Sequence, residues 1–209
     1  TARRRKIQEE YNAKNGITVD GGTGYTGALT VKTASLGAGD TVNVVTSSAA
    51  TRLIGDGGSI AADATSLADD VALTVEGDST VTVTELQGDV LAGSSQSVLD
   101  ITTVANADLS IETGAANAEV TGTSGAVSVD AGSMTTGDTL TIDGAANFAV
   151  TEVGNGVTVD SDDLLSGTLS VTTDAAATGV VVLTGNNATT VATQNTAGGD
   201  VQVEADQLA

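Results

Sequence analysis

The sequence predicts an all-β fold, a parallel β-solenoid of stacked short strands with an N-terminal α-helix. Three observations carry that expectation. First, the stretch from Val71, VALTVEGDSTVTVTELQGDVLAGSSQSVLDITTV, returns from Thr139 as TLTIDGAANFAVTEVGNGVTVDSDDLLSGTLSVTT. Leu73, Val75 and Gly77 match Leu140, Ile142 and Gly144, and Val83, Leu86 and Val90 match Val150, Val153 and Val157, a period near 67 residues. Second, pieces such as LTV, VTV, VSV, LTI and VQV alternate apolar with small polar residues, the period-2 signature of a half-buried strand. Third, aromatics make up 1% of the chain (Tyr11, Tyr25 and Phe148), so no core can be built around large rings. Val, Leu, Ile, Ala and Thr must build it instead, which suits thin stacked β layers.

Residues 1–16, TARRRKIQEEYNAKNG, read as a basic helix: good helix formers, a Thr able to cap the start, and Asn15-Gly16 as a stop. Ile7 and Tyr11, four apart, share one face of it. From Ile17 the pattern turns to β, through a Gly-rich turn at 21–27 into the first full strand, Gly27-ALTVKT. Further strands are expected near 41–46, 71–75, 80–84, 98–104, 109–111, 126–129, 140–142, 148–150, 157–159, 169–171, 180–183 and 201–203. Asp40, Asp70, Asp89, Asp100, Asp138 and Asp200 each sit just ahead of such a piece, where Asp favours a turn. Gly167-TLSVTT repeats Gly27-ALTVKT at an offset of 140, twice the period. The chain therefore divides into the helix (1–16), a partial repeat unit (17–70) and two fuller units (71–138 and 139–209), with Ala209 expected at a repeat edge.

Two architectures fit short strands at this spacing. Tandem small β-sandwiches are the alternative, each unit being built of about seven strands. A unit of about 70 residues without Trp or Cys would have a meagre core of its own, whereas a solenoid pools its core along the stack. The solenoid is therefore preferred, with coils of about 20–30 residues.

Charge narrows the function classes. The formal charge is -20, and five of the seven basic residues precede residue 15. An acidic body of this kind repels nucleic acid and anionic membrane surfaces and attracts divalent cations. With no Cys there is no disulfide framework or thiolate chemistry, and with no His the usual general base is missing. No apolar run approaches the ~18 residues of a membrane span. The basic start has no apolar segment of the secretory kind and no initiator Met, as expected of a processed chain or a fragment.

Stretches such as LTIDGAANFAVTEVGNGVTV and GTLSVTT, rich in Ala, Gly, Thr, Val and Asp, resemble the β-strand-repeat regions of large bacterial surface proteins over about residues 19–209. Those are the S-layer proteins and the RTX-type adhesins. The resemblance implies an extracellular structural protein, often calcium-dependent. The family's GGxGxD calcium motif is absent: Gly21-Gly22-Thr23-Gly24-Tyr25 is followed by Thr26. A second, short likeness covers Arg3–Thr18, RRRKIQEEYNAKNGIT, which resembles a helical segment of the UvrB excision-repair helicase subunit. No helicase or ATP-binding motif follows it, and it carries over no functional residue.

Candidate chemistry is confined to carboxylates. Asp160, Asp162 and Asp163 place three oxygen donors within four residues, the kind of turn a calcium ion selects. The matched stretch of the earlier unit has Gly93-Ser94-Ser95-Gln96, so this acidic turn is not part of the repeat. Asp69/Asp70 and the same Asp160 cluster are the pairs that could serve as a hydrolytic dyad, but no aromatic platform or basic clamp accompanies them. Asn187-Ala188-Thr189 is a glycosylation sequon. Arg3, Arg4, Arg5, Lys6 and Tyr11 are the candidate assembly residues, facing the acidic body of a neighbouring copy.

Taken together these readings lead to a non-enzymatic structural repeat protein of a surface layer, extracellular fibre or adhesin stalk. It is expected outside the cell or on its surface, self-assembling end to end into oligomers or filaments, with calcium as the one candidate cofactor and no nucleic-acid or membrane partner. A phage or virion fibre or decoration protein is one alternative. An acidic protein-binding module docked through its basic helix is the other.

Overall fold

A computed structural model describes residues 17–22, 25–93, 95–105, 107–194 and 200–205. Among these residues all regular structure is β. The strands are β1 (Ile17–Asp20), β2 (Leu29–Lys32), β3 (Thr41–Val45), β4 (Thr51–Gly55), β5 (Ser59–Asp63) and β6 (Leu73–Gly77). There follow β7 (Thr80–Leu86), β8 (Val90–Leu91), β9 (Val98–Thr103), β10 (Ala107–Glu112), β11 (Ala118–Gly122), β12 (Gly125–Asp130) and β13 (Thr139–Gly144). The last are β14 (Asn147–Val153), β15 (Thr158–Ser161), β16 (Thr168–Thr173), β17 (Val180–Thr184), β18 (Ala188–Ala192) and β19 (Val201–Ala205).

The strands sort by parity. The ten odd-numbered strands form one sheet in sequence order and the nine even-numbered strands form the other. Each coil thus gives one strand to each sheet and lies directly on the coil before it, about nine turns in all. In the odd sheet Val42 stands beside Ile60, Ile60 beside Val81, Val81 beside Leu99 and Leu99 beside Ala118, steps of 18, 21, 18 and 19 residues. Every ladder is parallel, including β1 with β3 and β17 with β19. This is the solenoid expected from the sequence, and it excludes tandem sandwiches, whose sheets are antiparallel.

One expectation is corrected. No helix occurs among the described residues, which form an all-β solenoid, and the N-terminal helix expected ahead of it has no support among them. Residues 1–16, to which that helix was assigned, lie outside the described residues. Asp100 also shifts role: it lies inside β9, where it was expected in the turn ahead of a strand.

The core is the space between the two sheets. Val42, Ile60, Val81, Leu99, Ala118, Leu140, Val159 and Val182 form one inward column of the odd sheet, each 3% exposed or less. Leu73, Val90, Ile111, Val129, Val150 and Val171 face them from the even sheet, fully buried. A Val, Leu or Ile taken from water to such a position contributes roughly 1.5–3 kcal/mol. Because each layer packs on the layers above and below, the core is one continuous column.

Corners are closed by small polar side chains. Ser79 Oγ donates to the Gly57 carbonyl at 2.6 Å, Thr113 Oγ1 to the Asp130 carbonyl at 3.1 Å and Ser161 Oγ to the Leu183 carbonyl at 2.8 Å. Each bond runs from one coil to a neighbouring one, so the buried hydroxyls at the corners find acceptors in the adjacent coil's backbone.

Candidate functional site

Outward positions of the two sheets carry different charge. The only Lys and Arg among the described residues are Lys32 and Arg52, both in strands of the even sheet. Arg52 makes a two-pronged contact with Glu76 one coil on, Nε to Oε1 and Nη2 to Oε2 each at 2.7 Å. That hydrogen bond holds the Glu76 carboxyl below its ordinary range. Both groups are well exposed, so the pair adds little stability.

Among the described residues the odd sheet has no such counter-charge. Strand alternation turns Asp100 of β9, Glu119 of β11, Asp143 of β13 and Asp160 of β15 outward on one surface. Glu119 stands beside Asp100 on one side and beside Thr141 on the other. Thr141 in turn stands beside Asp160, and Asp143 lies two residues further along β13. Between these strands is a shallow hollow of about 250 Å³, walled by Val98, Asp100, Asn117, Glu119, Thr139 and Thr141. Asn117 Oδ1 accepts the Thr139 backbone N–H at 2.8 Å and fixes one end of it.

Electrostatics in this surface run against ionisation. Glu119 reaches solvent, yet partial burial of its carboxyl against the hollow, followed by the Asp100 and Asp143 charges, pushes its pKa above the usual glutamate range. Asp143 is raised as well, first by burial, then by Asp163 and Asp160, while a hydrogen bond with Glu119 pulls the other way. Asp143 Oδ1 is buried and has no donor.

The sequence-derived candidates do not converge. Asp160 lies in β15 and accepts the Asp162 N–H at 3.3 Å, and Asp162 and Asp163 are exposed in the turn beyond the strand. Among the described residues no three acidic side chains are placed to hold a metal ion. Asp69 and Asp70 are both exposed in the turn before β6. Asn187 of the sequon donates from Nδ2 to the Leu164 carbonyl one coil below, so its amide is engaged in joining coils. Arg3, Arg4, Arg5, Lys6 and Tyr11 lie outside the described residues.

Asp100, Glu119 and Asp143 were not singled out from the sequence as a group. They are 19 and 24 residues apart, and only the coil length brings them side by side. The legible period of 67 does not reveal that length. Compared with protein-family models, curated proteins and solved structures, the chain matches none.

Proposed function

We propose that this chain is a non-enzymatic structural repeat, a stiff segment of an extracellular fibre, surface layer or adhesin stalk. The observation that carries the reading is the unbroken stack: two parallel ladders and one core column run together through every described coil. Adjacent strands stand about 4.8 Å apart, so nine coils give a column roughly 40 Å long. Its length grows with the number of coils at constant cross-section. Such a body acts as a spacer, and the short Thr, Ser, Asn and Asp side chains on its surface keep it soluble.

The acidic hollow does not suggest catalysis. Its acidic lining is Asp100 and Glu119 alone, and no aromatic platform or basic side chain stands in its walls to hold a sugar. Among the described residues the outermost strands, β1 and β19 of one sheet and β2 and β18 of the other, each pair on one side only, and such edges offer a route to assembly from copy to copy.

Antibody labelling of intact producing cells tests the location. Surface labelling without lysis supports the proposal, and labelling that requires lysis contradicts it. Antibody bound to virus particles would favour the virion alternative. Sedimentation and electron microscopy of the full chain test assembly: filaments support it, and a monomer at high concentration contradicts it.

A further inference from the structure

Five of the carboxylates on the outer surface of the odd sheet fall together over β9 to β15, and among the described residues no cation lies with them. Asp100 comes from β9, Glu119 from β11, Asp143 from β13, Asp160 from β15 and Asp163 from the turn after it. The nearest cations in the described fold, Lys32 and Arg52, belong to the other sheet. Glu119 and Asp143 are diagonal neighbours on the outer face of the β11/β13 ladder, Glu119 standing opposite Thr141 and Asp143 opposite Thr121, a separation that side chains of this length can bridge. Two ionised carboxylates have no proton to share, and the buried Asp143 Oδ1 has no donor from any other group.

We propose that Glu119 and Asp143 hold one proton between them in the folded chain, making the seam between β11 and β13 a pH-responsive clamp. The Glu119 O–H donates to the Asp143 carboxylate, which removes one of two adjacent negative charges and ties neighbouring coils together. When the proton leaves, two carboxylates face each other with Asp100, Asp160 and Asp163 around them. Both groups being raised above their ordinary ranges agrees with this arrangement. The sign follows from linkage. The folded chain binds the proton more tightly than the unfolded one, so the clamp is fully present below the ordinary carboxylate range. It is lost as pH rises through the raised folded-state values.

Glu119→Gln in the full chain is the test, because the amide supplies a non-titrating donor to Asp143 at an exposed position. Unfolding by urea is followed from about pH 4.5 to about pH 8 in ~1 M salt, where the Debye length is roughly 3 Å and the general repulsion of an acidic chain is screened. The wild type should lose stability with rising pH more steeply than Glu119→Gln, by a slope of about one proton. The exposed control Asp174→Asn should keep the wild-type slope. Carbon-13 carboxyl titration of the wild type should show Glu119 and Asp143 changing together, above the other acids. Equal slopes in wild type and Glu119→Gln, or titration of both groups with the bulk of the carboxylates, overturns the proposal.

Discussion

Gly77 and Gly144 stand 67 residues apart, lie in opposite sheets, and make the same turn. Each ends its strand with a positive φ, 100° and 92°, and each has its α-carbon against the backbone of the glycine one coil earlier. A Cβ on Gly77 would sit 1.8 Å from the Gly55 carbonyl oxygen, and one on Gly144 would sit 2.2 Å from that of Gly122. The reason they fall in different sheets is arithmetic. From β6 to β13 is seven strands, and at two strands per coil that is three and a half coils. An odd number of strands per sequence repeat sends every matched residue to the other sheet. The two sheets are thereby built from the same sequence pattern.

Gly144→Ala should be strongly destabilising, and Gly137→Ala separates its two causes. Gly137 has nearly the same φ, 95°, but nothing within 4 Å of its missing Cβ. It should lose about 1–2 kcal/mol from backbone strain alone, and Gly144→Ala, with a carbonyl in the way, at least about twice that. Thermal or urea unfolding measures both. Equal losses would show that the close approach between coils is not a constraint.

Glu85 and Glu152 form a second matched pair, each with φ 55°. At both, one extra residue is inserted in the strand: Val83 and Leu86 pair Ile101 and Thr103, and Val150 and Val153 pair Val171 and Thr173. This bulge resets the alternation so that Leu86 and Val153 point inward, fully buried. Glu152→Gly should therefore leave the fold intact and gain up to about 1 kcal/mol from relieved left-handed strain. A clear loss of stability would mean that the Glu side chain itself is needed there.

Phe148 and Gly122 are complementary. The ring tip and the Ala146 methyl each stand 2.6 Å from where a Gly122 Cβ would be, so the glycine makes room for both, including the one phenylalanine of the chain. Gly122→Ala should cost about 1–3 kcal/mol by overpacking. Phe148→Leu should recover the ring's share of that in the double variant, the Ala146 methyl keeping the rest, although alone it leaves a cavity. Additive losses would show that the ring does not rest on Gly122.

Leu140 is fully buried and Leu165 is 82% exposed. Leu140→Ala should cost about 3 kcal/mol, and Leu165→Ala no more than about 0.5 kcal/mol.

How much of this was legible follows from what fills each inward position. Strands with Val, Leu or Ile at successive inward places, such as Leu73/Val75, Leu140/Ile142 and Leu169/Val171, show clean alternation, and all six residues are buried. Strands β4, β5, β11 and β18 were not among the expected segments. Their inward places include Thr51 and Gly55, Ala62, and Ala118 and Gly122, which carry little apolar contrast. Missing them hid the coil length, and with it the alignment of Asp100, Glu119 and Asp143. The acidic turn at Asp160, Asp162 and Asp163 was conspicuous for the opposite reason: its residues lie within four positions of one another in sequence.

Cross-linking tests the stack most directly, since the chain has no cysteine of its own. Ser128 of β12, Ala149 of β14 and Ser170 of β16 are exposed and successive in one register of the even sheet. Neighbouring coils set paired residues about 4.8 Å apart, within the span of a disulfide. The Ser128→Cys/Ala149→Cys and Ala149→Cys/Ser170→Cys pairs should close on oxidation without loss of stability. The Ser128→Cys/Ser170→Cys pair, two coils apart at roughly 9.6 Å, should stay open within one molecule. Closure of the distant pair with failure of both near ones would contradict the solenoid.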